Sequence, residues 1–138
     1  MKTYMQKTAQ VKHAWHVVDA KDQVLGQVAT AVAIKLMGKH KTTYTPNIDD
    51  GDFVVVLNSS QVRVTKTKGQ KKMYYNHSSF PGGIHGASFD ELQAKDPTKA
   101  LERAVYNMLP TNRLRKERMG RLKIYAGTEH PHASQLGK

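Results

Sequence analysis

The sequence contains no cysteine, which removes disulfides and thiolate metal sites from its chemistry. It has one tryptophan, and its longest uninterrupted apolar run is the five residues Phe53–Leu57, far short of the roughly 20 that cross a bilayer. Met1 to Lys12 is basic and lacks the apolar stretch of a signal peptide, which fits a cytoplasmic protein. Leu, Ile, Val and Phe number only 28 of 138 residues, so the core must be small and some segments must lie outside it. Acids are scarce as well. Eleven Asp and Glu stand against 22 Lys and Arg, a net charge of +11. Charge of that size on one small domain repels itself unless a polyanion neutralises it. Nucleic acid is the first candidate partner, and an anionic membrane surface the second.

The chain reads as one domain over residues 1–138, with a basic arm at 1–12 and a C-terminal loop and tail at 128–138. Trp15 to Asp19 is a short candidate strand. Leu25, Val28, Ala29, Val32 and Leu36 recur at helical spacing, and Gly38 stands where a C-terminal cap belongs. Phe53 to Leu57 is a β-branched run of the kind that central parallel strands need. Strand, helix and buried strand in succession predict a βαβ unit within an α/β fold. Val62 to Thr65 and Met73 to Tyr75 read as two further strands around a basic loop, and Pro81-Gly82-Gly83 as a turn. Ser88 and Glu91 have the spacing of a capping box. Asp96-Pro97 predicts the start of a helix whose apolar side is Leu101, Ala104, Val105 and Met108. Thr111 to Gly120 is a last short helix, followed by a strand at Leu122 to Tyr125.

The charge is segregated. Between Asp52 and Asp90 no acid occurs, while Arg63, Lys66, Lys68, Lys71 and Lys72 do, together with Tyr74, Tyr75, His77 and His85. A second basic block is Arg113, Arg115, Lys116, Arg118, Arg121 and Lys123, and a third is Lys35, Lys39, His40 and Lys41. An ordinary solvated face alternates signs, whereas collected cations make a field that attracts phosphate. Tyr74 and Tyr75 add stacking surface, as RNA sites commonly do. Side chains alternate along a strand, so one tyrosine of the pair faces the core and the other outward; sequence leaves open which.

Catalysis is not visible. His13 with His16, and His130 with His132, have plausible metal spacing but no nearby carboxylate on a rigid element. There is no Walker loop, nucleophile elbow or dinucleotide fingerprint. Asp49, Asp50 and Asp52 read as a turn before the strand, with an Mg²⁺ site on a small nucleotide-directed enzyme as the alternative. A DNA-binding regulator is a further alternative, against which stands the lack of a docking motif.

Taken in order, these segments resemble the bacterial form of the large-subunit ribosomal protein L-thirteen family. The likeness runs through Trp15 to Ala20, Leu25-Gly26, Gly38 to Lys41, Tyr44-Thr45-Pro46 and Gly51 to Asn58. It continues through Lys72 to Ser78, Pro81-Gly82-Gly83, Met108 to Asn112, Arg121 to Gly127 and His130 to His132. Gln27, Asn107 and Arg115 depart from the residues usual there, and the chain ends soon after His132, where many relatives run on. The resemblance implies a three-layer α/β/α fold with a central, mainly parallel sheet and basic extensions. It implies a non-enzymatic ribosomal protein that binds 23S ribosomal RNA early in large-subunit assembly and stays among neighbouring ribosomal proteins. No cofactor, metal, membrane or small-molecule substrate is expected. The RNA-facing residues expected on both grounds are Lys35, Lys39, His40, Lys41, Lys66, Lys68, Lys71, Lys72, Tyr74, Tyr75, His77, Arg113, Arg115, Lys116, Arg118, Arg121 and Lys123.

Overall fold

A computed structural model describes residues 4–137, so residues 1–3 of the expected arm and Lys138 of the tail lie outside the described residues. In chain order the elements are β1 (Trp15–Asp19), α1 (Leu25–Met37), β2 (Phe53–Leu57), α2 (Lys68–Lys71), β3 (Met73–His77) and β4 (Ile84–Ser88). After them come α3 (Phe89–Lys95), α4 (Lys99–Met108), α5 (Leu114–Gly120) and β5 (Leu122–Ile124). The α/β class and the parallel sheet are as expected.

The sheet has the order β1-β2-β5, parallel throughout, with Trp15 opposite Phe53 and Val54 opposite Leu122. The all-apolar strand takes the central place, where Val54, Val55 and Val56 are fully buried. Alternation then sorts the faces. Val18, Val54, Val56, Leu122 and Ile124 join α1 and α4 in the main core, to which α1 brings Leu25, Val28, Ala29, Val32, Ala33 and Leu36. Helix α4 lies on α1 and contributes Ala100, Leu101 and Val105. On the other face Trp15 stacks on Phe53 at 4.4 Å, and His132 of the C-terminal segment closes over Trp15 at 5.2 Å.

Helix α1 ends at Gly38, whose φ of 79° lets its N–H return to the carbonyls of Ile34 and Lys35. A Cβ at Gly38 would also lie 2.6 Å from the Asp50 carbonyl oxygen, so the loop at 49–52 packs where only glycine leaves room. The capping box is present: Ser88 Oγ accepts the Glu91 N–H, and Glu91 Oε2 accepts the Ser88 N–H at 2.9 Å.

Several elements differ from expectation. Val62 to Thr65 is not a strand; it makes only an isolated bridge, Val24 with Arg63, held by Leu25 N–H to Arg63 O at 2.8 Å. Part of the supposed basic loop is the single turn of α2. Strand β3 is longer than expected and pairs with β4, an antiparallel partner that sequence reasoning missed. Helix α4 begins at Lys99 with Thr98 as N-cap. Asp96 instead closes a tight turn, accepting the Thr98 N–H at 3.2 Å and its hydroxyl at 2.8 Å. The helix expected from Thr111 starts at Leu114.

Candidate nucleic-acid interface

The candidate residues divide into two groups, and the loop between α1 and β2 makes the division. Asp50 and Asp52 are buried, and Asp52 collects four donors. Its Oδ1 accepts the Ala14 N–H at 2.9 Å and faces the Lys41 ammonium at 2.6 Å. Its Oδ2 accepts from His16 Nε2 at 2.8 Å and His40 Nε2 at 3.0 Å. Burial works to raise the Asp52 pKa, but Lys41, the Ala14 N–H and His16 outweigh it and hold the carboxyl at about 2. Asp50 is likewise lowered: burial opposes ionisation, and Thr43, Gln6 and Lys41 overcome it. Thr43 donates its hydroxyl to Asp50 at 2.7 Å, and Gln6 brings the described part of the N-terminal arm onto the same site. Asp49 accepts from Arg121 at 2.5 Å and faces Arg118 Nε at 3.4 Å.

Four expected RNA ligands are therefore occupied inside the protein. Lys41, Arg118 and Arg121 pair with the carboxylates of the 49–52 loop, His40 hydrogen-bonds to Asp52, and Arg118 is only 1% exposed. The three aspartates do more than shape a turn: Asp50 and Asp52 share the Lys41 ammonium, and Asp49 faces Arg118 and Arg121. His16, His40 and Asp52 do bring three metal-type donors within 4.8 Å of one another, but the Lys41 ammonium already supplies that carboxylate with a cation. The sequence pairs His16 with His13 and shows no carboxylate near it; the fold supplies Asp52, because nothing in the spacing of residues 16, 40 and 52 reveals that sheet and loop converge. Arg115 is used locally: its guanidinium lies 4.2 Å over the Tyr106 ring and donates to the Leu109 carbonyl at 2.8 Å, holding the end of α4.

The other cations have no acidic partner within ion-pair distance among the described residues. These are Lys35 and Lys39 at the end of α1, Lys66, Lys68, Lys71 and Lys72 around α2, Arg113 and Lys116 at the start of α5, and Lys123 on β5. Lys39, Arg113, Lys116 and the four lysines of the α2 region are exposed; Lys35 and Lys123 are half-buried. They do not form one contiguous set. Lys68 and Lys72 line a cleft of about 330 Å³ beside Leu25 and Met108, near the start of α1, whereas Lys35 and Lys39 sit at its other end.

The β3–β4 hairpin answers the question left by the tandem tyrosines. Tyr74 turns inward onto the core, with Lys72 and Arg103 over its ring at 5.5 and 5.8 Å. Burial raises the pKa of its hydroxyl, which has no hydrogen-bond partner among the described residues. Tyr75 points outward and is 65% exposed, with His77 following on the same face. Ile84 and Phe80, 62% and 76% exposed, complete an apolar surface that the sequence reading did not include. The turn and the lack of acids are legible in the sequence, but they become one surface only once the two strands are paired.

The profile of a family described as Ribosomal protein L13 matches residues 13–131. The chain is 52% identical, over 138 residues and 97% of the relative's length, to a Large ribosomal subunit protein uL13 from Polaromonas sp.. It is 51% identical to the protein of the same name from Delftia acidovorans, again over 97% of that chain, and 52% identical to that of Legionella pneumophila over 96%. These relatives extend hardly at all beyond the length matched here.

Proposed function

The chain belongs to the ribosomal protein L13 family, and on that premise we propose that it binds 23S ribosomal RNA and supports early assembly of the large subunit. Membership makes it a structural, non-enzymatic constituent of the large ribosomal subunit, which removes the nucleotide-directed enzyme and the DNA regulator as alternatives. Its neighbours in that particle are other large-subunit proteins. The observation that carries the RNA reading is the sorting of charge. The acids of the 49–52 loop are engaged by Lys41, Arg118 and Arg121, so Lys39, Lys66, Lys68, Lys71, Lys72, Arg113 and Lys116 face solvent without internal compensation. Lys35 and Lys123, half-buried and free of ion pairs, flank them. A phosphate backbone supplies the missing charge and releases counterions as it does so.

On this reading His40, Lys41, Arg115, Arg118, Arg121 and Tyr74 serve RNA indirectly, by fixing the scaffold on which the exposed cations stand. Binding of the full chain to a 23S transcript, titrated against salt, tests the proposal. With five or more phosphates neutralised, the log–log slope is about −3.5 or steeper. A slope near zero, or equal affinity for a 16S transcript of similar length, refutes it.

A further inference from the structure

The outer face of the β3–β4 hairpin carries an aromatic surface that phosphate binding does not explain. Tyr75 stands opposite Gly86 in the strand register. A Cβ placed on Gly86 would lie 3.0 and 3.2 Å from Tyr75 Cε1 and Cδ1, and 3.3 Å from Met73 Cε. The tyrosine ring therefore lies across the glycine, with the Met73 methyl over the same residue, and is open to solvent. Ile84 flanks it on the same strand as Gly86, and Phe80 projects from the connecting turn. That turn is built to hold its shape: Gly82 has φ of 73°, and Ser78 N–H donates to Gly83 O at 2.8 Å.

We propose that Tyr75, seated on Gly86 and flanked by Ile84 and Phe80, is a stacking platform for unpaired bases of RNA. The inference rests on the RNA-binding reading and adds a mode of recognition to it. Charge decides between RNA and a protein partner as occupant. His77 shares the face with Tyr75, the exposed Lys66, Lys68, Lys71 and Lys72 lie just before β3 at the base of the hairpin, and residues 53–89 contain no acid. The nearest acids in sequence are turned away: Glu91 reaches back to the Ser88 N–H, and Asp90 lies over Gly69 of α2. An exposed aromatic ring with one face supported and the other free, on a hairpin without acids and with lysines at its base, matches an unpaired base whose backbone is held nearby. Because every base has a π-face, the platform reads single-strandedness rather than sequence.

The test uses the full chain and two fluorescent probes, a 12-nucleotide oligoadenylate and an RNA duplex of the same length, followed by anisotropy over a range of salt. Tyr75→Ala is expected to weaken oligoadenylate binding about 5- to 150-fold with an unchanged salt slope and unchanged duplex binding. Tyr75→Phe retains the ring and the binding. Gly86→Ala, which displaces the ring by a few tenths of an ångström, gives a partial loss with the hairpin intact by thermal melt. Equal oligoadenylate affinity for Tyr75→Ala and the parent overturns the platform. So does an equal loss on the duplex, which would mean a general contact. The parent protein reports on the premise separately: if it binds neither probe with a salt-dependent slope, the RNA-binding reading itself fails.

Discussion

Around the loop 49–52, three cations (Lys41, Arg118 and Arg121) and two imidazoles (His16 and His40) share three carboxylates. Around α2 and the hairpin, Lys66, Lys68, Lys71, Lys72, His77 and His85 have no such partner among the described residues. The same residue types do opposite things in the two regions. In the first they are drawn inward and satisfy buried acids that would otherwise prevent folding. In the second they stay in solvent and leave a field. The difference lies in what the fold brings to them: β2 is preceded by three aspartates that the Gly38 turn pulls under α1, while the hairpin is followed by acids that cap α3.

The contrast breaks most severely at Asp52. Replacing Asp52 by Asn leaves Lys41 and two histidines around a neutral amide, at a cost of about 3–5 kcal/mol, and lowers the melting temperature by on the order of 10 °C. Acid should mimic part of this in the parent. The folded pKa of about 2 lies below the ordinary 3.8, so the stabilisation is present above about pH 4 and is lost as pH falls towards 2. That amounts to about 2 kcal/mol, and Asp52→Asn should lack this part of the acid-dependent loss in a denaturant titration.

Arg118→Gln is the next largest expected effect, a loss of roughly 2–4 kcal/mol in stability with no change in the salt slope of RNA binding. A reduced slope with intact stability would move Arg118 into the RNA-facing set. Combined replacement of Lys68, Lys71 and Lys72 by Gln should do the reverse, leaving the melt unchanged and making the slope shallower by about 2. Smallest of all is Tyr74→Phe. It removes a buried hydroxyl without a partner, so stability should hold or rise by up to about 1 kcal/mol.

Elements whose cause is local were legible in the chain. The helical spacing of α1 with Gly38 after it, the apolar run of β2, and Ser88 with Glu91 each hold their own signal within a few residues. What was not legible depends on partners distant in sequence. Strand β4 reads Ile-His-Gly-Ala-Ser, poor in β-formers, and is a strand because β3 pairs with it. Val62 to Thr65 has the better β composition and makes one bridge, because only Val24 lies beside it. Asp96 looked like a helix cap and is spent on the turn before Thr98. Among the site residues, exposure could not be read from charge alone: Arg118 and Arg113 are five positions apart, one buried and one in solvent.

The register that pairs Met73 with Ser88 has a practical meaning for engineering. It sets the two ends of the hairpin roughly 5 Å apart, and the Phe89 N–H closes the base onto the Lys72 carbonyl at 2.9 Å. Residues 73–88 thus leave and re-enter the body at nearly one point, outside the parallel sheet, and Tyr74 anchors them to the core. A graft of a relative's hairpin at this point therefore has to keep an inward aromatic at position 74.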